Sequence, residues 1–326
     1  MSTMTLNYPL FDGEKIIENA CVTISDGVIT SVTSAESANS DCLLMPGLID
    51  AHTHMTCTEQ VKEMQKYGIT ATCDVSAPAT LIEEAKPFTI ISSAGMTMGT
   101  LNGRSYVKSA IDDGAKYIKV LLFEPNLMPK AVLKSICEAA HEYGVKVAVH
   151  ATTVKAQKMA IDCDADILLH VPMKEELPRE LACEIAERGI AVAPTLIMMQ
   201  AFADSARNGY KPSHYKNAEQ AVRTLHECHV TILAATDANI GNFAPAVQHG
   251  SSMPCELERL CSAGLTPVEA LASATGKVAD VFGNGELGYI RAGKKADLIL
   301  IDGRPDKDIA AIKKIRQIII GGEQIL

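Results

Sequence analysis

Apolar positions along the chain fall into two patterns. Over residues 46–284, short apolar runs alternate with longer stretches in which apolar residues recur every three or four positions. Short runs bounded by Gly, Pro or Asp read as buried strands, and the longer periodic stretches read as amphipathic helices. The strand-like runs fall at 43–50, 71–75, 88–92, 117–121, 146–150, 167–170, 190–194 and 231–236. Helical periodicity fills the intervals, for example over 130–143 behind Pro129 and over 177–188 ahead of Gly189. Eight βα units in series predict an α/β fold, a closed (β/α)8 TIM barrel over residues 46–284.

The two ends follow a different grammar. Val22-Thr23-Ile24 runs into the turn Ser25-Asp26-Gly27 and on into the alternating run 28–32, which predicts a hairpin. Near the other end, runs at 288–290, 296–301 and 315–320 are punctuated by Gly293, Gly303 and Gly321-Gly322. Neither end carries enough apolar surface to fold alone. Residues 1–45 and 285–326 are therefore expected to combine into one small β-sandwich domain beside the barrel.

Composition narrows the function classes. Hydrophobic residues make up 47% and charged residues 21% of the 326, the balance of a soluble chain with a sizeable core. The formal charge of −9 excludes the basic footprint that phosphate binding needs, so no nucleic-acid partner is expected. The densest basic run, Lys313-Lys314-Ile315-Arg316, sits in an apolar context and reads as an exposed strand edge. The opening stretch, MSTMTLNYPLFDG, has neither a basic start nor a continuous apolar segment, which predicts a cytoplasmic protein with no membrane partner. Ten scattered cysteines without a C-x-x-C pair read as reduced thiols.

The chemistry begins at Pro46-Gly47-Leu48-Ile49-Asp50-Ala51-His52-Thr53-His54. An i, i+2 pair on a strand points both imidazoles the same way and turns Thr53 away, so both can face one cation. This string resembles the opening motif of the amidohydrolase superfamily, and further landmarks follow in barrel order. Lys119 lies on the fourth strand, His150 ends the fifth, His170 ends the sixth and Asp237 follows the eighth. The stretches 256–275 and 293–298 are similar to the closing helices of that superfamily and its return to the β domain. Within it, the chain looks closest to the branch of imidazolonepropionase-like and prolidase-like hydrolases.

The resemblance implies a centre of two divalent ions, zinc being the expected metal and Mn, Fe or Co also suited to imidazole and carboxylate donors. His52, His54 and Asp237 would hold one ion, and His150 and His170 the other. Lys119, carboxylated to a carbamate, would bridge them. Such a centre acidifies water and polarises a carbonyl, while Asp237 moves a proton to the leaving nitrogen. The activity implied is hydrolysis of an amide in a small molecule such as an N-acyl amino acid, a dipeptide or a cyclic amide. The alternatives are a mononuclear imidazolonepropionase- or deaminase-like hydrolase, a lactonase or esterase, and a non-catalytic scaffold.

Substrate contacts have two readings each. His249 either binds a substrate oxygen or is an ordinary loop histidine. Tyr210 and Tyr215 either cap the pocket or sit on an exposed loop, and Arg104 either binds a substrate carboxylate or opens a helix. Met55, Met96 and Met98 would supply an apolar wall. The segment after His54 and the stretch 95–103 are short, which implies a shallow pocket or one completed by a neighbouring subunit of a homo-oligomer.

Overall fold

The computed structural model describes residues 3–36, 41–242 and 244–326; residues 1–2 and 37–40, part of the segment assigned above to the β domain, and Phe243 lie outside them. The chain opens with the meander β1 (Thr3–Phe11), β2 (Ile16–Ser25) and β3 (Val28–Ser34), followed by β4 (Cys42–Pro46). The parallel strands β5 (Leu48–Thr53), β6 (Ile69–Asp74), β7 (Thr89–Ser92), β8 (Met96–Thr97), β9 (Ile118–Leu122), β10 (Val147–Ala151), β11 (Ile167–Leu169) and β12 (Ala191–Ala193) come next. After a helical stretch, β13 (Leu298–Asp302), β14 (Ile315–Ile320) and β15 (Glu323–Gln324) close the chain.

The two ends share one sheet of order β15-β14-β13-β4-β1-β2-β3. Its central seam is the antiparallel pairing of β4 with β13, from Leu298 opposite Pro46 to Asp302 opposite Cys42. Alternation sorts the side chains. Leu43, Met45, Ile299, Ile301, Ile318 and Ile320 join the main core, whereas Cys42, Leu44, Leu298, Leu300 and Ile319 pack with Leu6, Leu10, Val22 and Ile24 in a second one. Both faces are buried here, which is why β4 reads as an unbroken apolar run.

The single strand expected over 43–50 is two strands in different sheets. Gly47 is the hinge: its amide donates to Asp297 O (2.8 Å), while the next amide, Leu48, donates to Gly68 O (2.9 Å). A Cβ at Gly47 would lie 2.2 Å from Thr70 Oγ1, so only glycine permits this approach.

The parallel strands form two sheets, β5-β6-β7 and β12-β11-β10-β9-β8. The Lys116 amide donates to Ser92 O (2.8 Å) across one gap, between β7 and the approach to β9. Across the other gap lies the segment 231–238, where the sequence pattern predicts an eighth strand. It makes isolated parallel bridges, Val192 with Ile232 and Thr53 with Ala238, rather than a continuous ladder. The reason is competition for amides. Ala234 N donates to Ser273 O (2.8 Å), and Thr236 N is taken by the Asp50 carboxylate (3.0 Å). Within the stretch 95–103, β8 adds a two-residue strand that pairs with β9.

Eight segments contribute to one interior cluster: Ile49 and Ala51, Ala71 and Cys73, Ile91, Tyr117, Ala148, Ile167 and Leu169, Ala191 and Ala193, Leu233 and Ala235. Their sequence neighbours Ile90, Ile118, Val147, Val149, Leu168, Val192 and Ile232 face the helices instead. Alanines leave room at the axis, and Tyr117 fills it, its hydroxyl donating to Asp74 O (3.1 Å). Val278, Ala279 and Leu287 close this interior with the edge of Phe282 against Tyr117. The outer helices meet expectation closely. Lys130–Glu142 buries Leu133, Ile136, Cys137 and Ala140 on one stripe, and Arg179–Glu187 starts two residues later than predicted because Pro178 is its N-cap.

Gly47→Ala should destabilise the fold by about 1–3 kcal/mol through the clash with Thr70. Gly285→Ala, where an added Cβ meets nothing within 4 Å, should stay within about 0.5 kcal/mol of the parent. Urea denaturation checks this, and equal effects for the two would remove the hinge role.

Candidate metal centre

The geometry of the site starts with a slip in register. Asp50 pairs with Thr72 and Thr53 with Asp74, so three steps along β5 match two along β6. One extra residue in a strand reverses its alternation. Ala51 faces the interior cluster, and past the slip Thr53 faces outward, its hydroxyl donating to Asp74 (2.9 Å). His52 and His54 therefore share the inner side, their rings 5.1 Å apart.

Two buried carboxylates hold this strand end. Asp50 accepts from His52 N (3.2 Å), Thr236 N (3.0 Å) and the Thr236 hydroxyl (2.6 Å), tying β5 to the segment that ends in Asp237. Burial pushes its carboxyl up to about 7, against the pull of the Thr236 hydrogen bonds. Asp74 accepts from Met55 N (2.7 Å), Ser76 N (2.9 Å) and Ala77 N (2.6 Å), and burial raises it too.

Asp237 sits in the left-handed region, φ +55°, its amide donating to His52 O (2.9 Å) and its carbonyl accepting from Asn239 Nδ2 (2.8 Å). That conformation aims its carboxylate at the histidines: Oδ1 is 3.4 Å from His52 Nε2 and 3.1 Å from His54 Nε2. The ligand atoms of all three residues lie within 4.8 Å of one another. Burial, followed by the nearby Lys119 amine, drives His52 well below its ordinary value, so the contact with Asp237 joins a neutral ring to a carboxylate.

His150 and His170 arrive from the neighbouring strand ends. Their rings are 4.5 Å apart, and that of His170 is 5.6 Å from His52. His170 also adopts a positive φ, +71°, and its Nδ1 is fixed by the Thr195 hydroxyl at 2.6 Å. Burial lowers His150 to about 3 and takes His170 well below its usual range, so both rings are neutral donors. Lys119 on β9 is 2% exposed, and burial brings its amine down to about 7, with the Asp237 carboxylate opposing.

These residues suit divalent cations. His52 Nδ1 and His150 Nε2 are buried with no hydrogen-bond partner among the described residues. A buried polar atom without a partner carries a desolvation cost, and a neutral imidazole next to a carboxylate is a donor set that a metal ion satisfies.

The other predicted residues divide. His249 is buried against the centre, its Nε2 3.3 Å from His54 O, and burial lowers it to about 4. Tyr210 is half-buried, packed on Phe202 (5.5 Å) beneath Lys174 Nζ (4.6 Å), and burial raises its hydroxyl above the usual value against the nearby Thr152, two residues past His150. Arg104 shares no described contact with the histidines. It opens the helix Gly103–Asp112, and both its terminal nitrogens are taken by Glu142 (2.6 and 2.7 Å), so the carboxylate it meets is the protein's own. Tyr215 is a buried helical residue against Arg259 rather than part of an exposed loop. Met55 is buried, whereas Met96 and Met98 are exposed.

Sequence reasoning passes over Asp50, Asp74, Thr195 and Thr236, which position the donors, and Phe123, whose exposed ring lies 6.2 Å from that of His150. The carboxylates have a signal, an aspartate at the end of an otherwise apolar strand run.

Comparison with known proteins gives a consistent picture. A Xaa-Pro dipeptidase with bound methionine shares the fold at a TM-score of 0.82 and 20% identity, over 99% of each chain. Molinate hydrolase matches at 0.84 and 16%, over 99% of this chain and 94% of the other. Phenylurea hydrolase B matches at 0.83 and 17%, over 99% and 97%. No curated protein matches the chain. The profile described as Amidohydrolase family matches residues 43–325, nearly the whole chain and every residue of the centre described above. The chain therefore belongs to the amidohydrolase family, and it is a hydrolase.

Proposed function

We propose that this hydrolase cleaves a carbon–nitrogen amide bond in a small molecule such as an N-acyl amino acid, a dipeptide or a cyclic amide. The observation that carries the reading is the convergence of His52 and His54 from the end of β5, Lys119 from β9, His150 from β10, His170 just past β11 and Asp237 past the segment that bridges β12. Names of the structural neighbours, a Xaa-Pro dipeptidase and a phenylurea hydrolase among them, support the bond type. We read residues 46–284 as a closed (β/α)8 barrel and residues 1–45 with 285–326 as the composite β domain. The interior cluster fed by eight segments supports the barrel. Free thiols at all ten cysteines suit a cytoplasmic setting.

His52, His54 and Asp237 would hold one ion, and His150 and His170 a second, with zinc the expected metal. Bound there, divalent ions would supply acidified water and a polarised carbonyl oxygen. The residues of the chain do the rest. At neutral pH the Lys119 amine is partly free base, the form that adds carbon dioxide, loses a proton and becomes an anionic carbamate able to stand between two cations. Asp237 takes the proton of the attacking water and returns it to the nitrogen as the carbon–nitrogen bond breaks. Asp50 holds Asp237 against His52 through Thr236, which keeps the proton path short. His249, whose Nε2 lies against His54 O, and Tyr210 are our candidates for substrate contact.

A second reading has one ion, as in imidazolonepropionase- or deaminase-like hydrolysis. It is favoured by the tight grouping of His52, His54 and Asp237 alone. Elemental mass spectrometry on protein expressed with divalent metal and bicarbonate separates the two. Two ions per chain are expected; one would select the second reading, and none would overturn both.

Asp237→Asn should lower kcat on the responsive amide by roughly 10²–10⁴-fold with the circular dichroism spectrum unchanged, and ordinary turnover in that variant would refute the proton role. His150→Ala should cost one ion per chain. An unchanged metal count would mean that the second ion is held elsewhere.

A further inference from the structure

The helix Arg179–Glu187 meets the end of the helix Tyr215–Glu227 through two contacts side by side. Arg179 and Cys183 are four residues apart, hence on one helical face. Arg179 Nη1 bonds Glu227 (2.6 Å), and Cys183 Sγ lies 2.9 Å from Cys228 Sγ. The two sulfurs are nearer than the ordinary contact of unbonded sulfur atoms, and no other pair of cysteine sulfurs among the described residues is in hydrogen-bond contact.

Both thiols are held in place. Cys183 is internal to its helix, and Cys228 is a C-cap whose amide bonds Thr224 O (3.1 Å), with His229 beyond it in the left-handed region. The Cys228 thiol also leans on Arg179 O (3.9 Å). Closing to a bonded sulfur–sulfur distance of about 2.05 Å takes less than 1 Å of side-chain movement. Both residues are partly exposed, so a small oxidant reaches them, whereas Cys42, Cys73, Cys137 and Cys163 are buried.

We propose that Cys183 and Cys228 are a modification site: exposed to a peroxide, they form an intramolecular disulfide that straps these two helices together. One thiolate attacks hydrogen peroxide, breaking its O–O bond to give a sulfenic acid and hydroxide. The second thiol then attacks that sulfur and expels water. Overall, two thiols lose two electrons and two protons, and one peroxide becomes two waters. The strap encloses β12, the helix Leu196–Ser205 and the loop carrying Tyr210, all on the arc between His170 and Asp237. Burial pushes the Cys228 thiol up to about 11 against the pull of Arg179. Strapping should therefore quicken as the pH rises and the thiolate fraction grows.

Peptide mapping of the folded chain tests this: treat with hydrogen peroxide, block free thiols with iodoacetamide, digest without reduction and sequence the fragments by mass spectrometry. A linked pair containing Cys183 and Cys228, two hydrogens lighter than the separate peptides and lost after dithiothreitol, is expected. Neither Cys183→Ser nor Cys228→Ser should yield it. Recovery of both cysteines as separate alkylated peptides, or of either one linked mainly to a different cysteine, would overturn the proposal, and the unsubstituted chain alone is enough to decide between these outcomes.

Discussion

A carboxylate buried between two chain segments must be satisfied by both of them, and Asp50 imposes that condition here. It is fully buried, and its oxygens accept from His52 N on β5 and from both the amide and hydroxyl of Thr236 at the far end of the parallel array. Losing these donors would leave a buried carboxylate unsatisfied, which costs more than an ordinary hydrogen bond contributes. The first and last strand-like segments are thus locked in one relative position. His52, His54 and Asp237 inherit that position, as do the register slip in β5 and the left-handed turn at Asp237.

The same burial sets the electrostatics. Removing water makes charge expensive, so the imidazoles of His52, His150 and His170 are driven neutral and the Lys119 ammonium gives up its proton more readily. Neutral imidazoles at His52, His150 and His170 leave the Asp237 carboxylate with little positive charge around it. Asp237 faces what the chain itself offers, the Nε2 atoms of His52 and His54 and the neighbouring Lys119 amine. A bound cation would recover these separate desolvation costs together.

Much of this is legible in the sequence because the informative residues are rare types at the ends of apolar runs. His52, His54, Lys119, His150, His170 and Asp237 lie on or just past strand-like runs in chain order, and the spacing of His52 and His54 foretells their shared side. What stays hidden depends on partners far along the chain. Local pattern merges 43–50 into one strand, because the amides of Gly47 and Leu48 reveal their different destinations only through Asp297 and Gly68. It also reads an uninterrupted strand at 231–236, because amides captured by Ser273 O and the Asp50 side chain leave no trace in hydrophobicity. Arg104 is a further case. Its fitness for a carboxylate is evident, but Glu142, 38 residues on, satisfies it.

The pairing of β4 with β13 joins residues 42–46 to 298–302. A ribosome delivers the chain from its N-terminus, so β4 emerges long before its antiparallel neighbour exists. Until residue 302 has left the exit tunnel, the apolar run Cys42–Pro46 has one edge unpaired, and Gly47, the hinge into the first ligand-bearing strand, lacks Asp297 O as its acceptor. The seam that anchors the strand bearing His52 and His54 thus waits for residues 298–302, and a product truncated before them would carry those histidines without it.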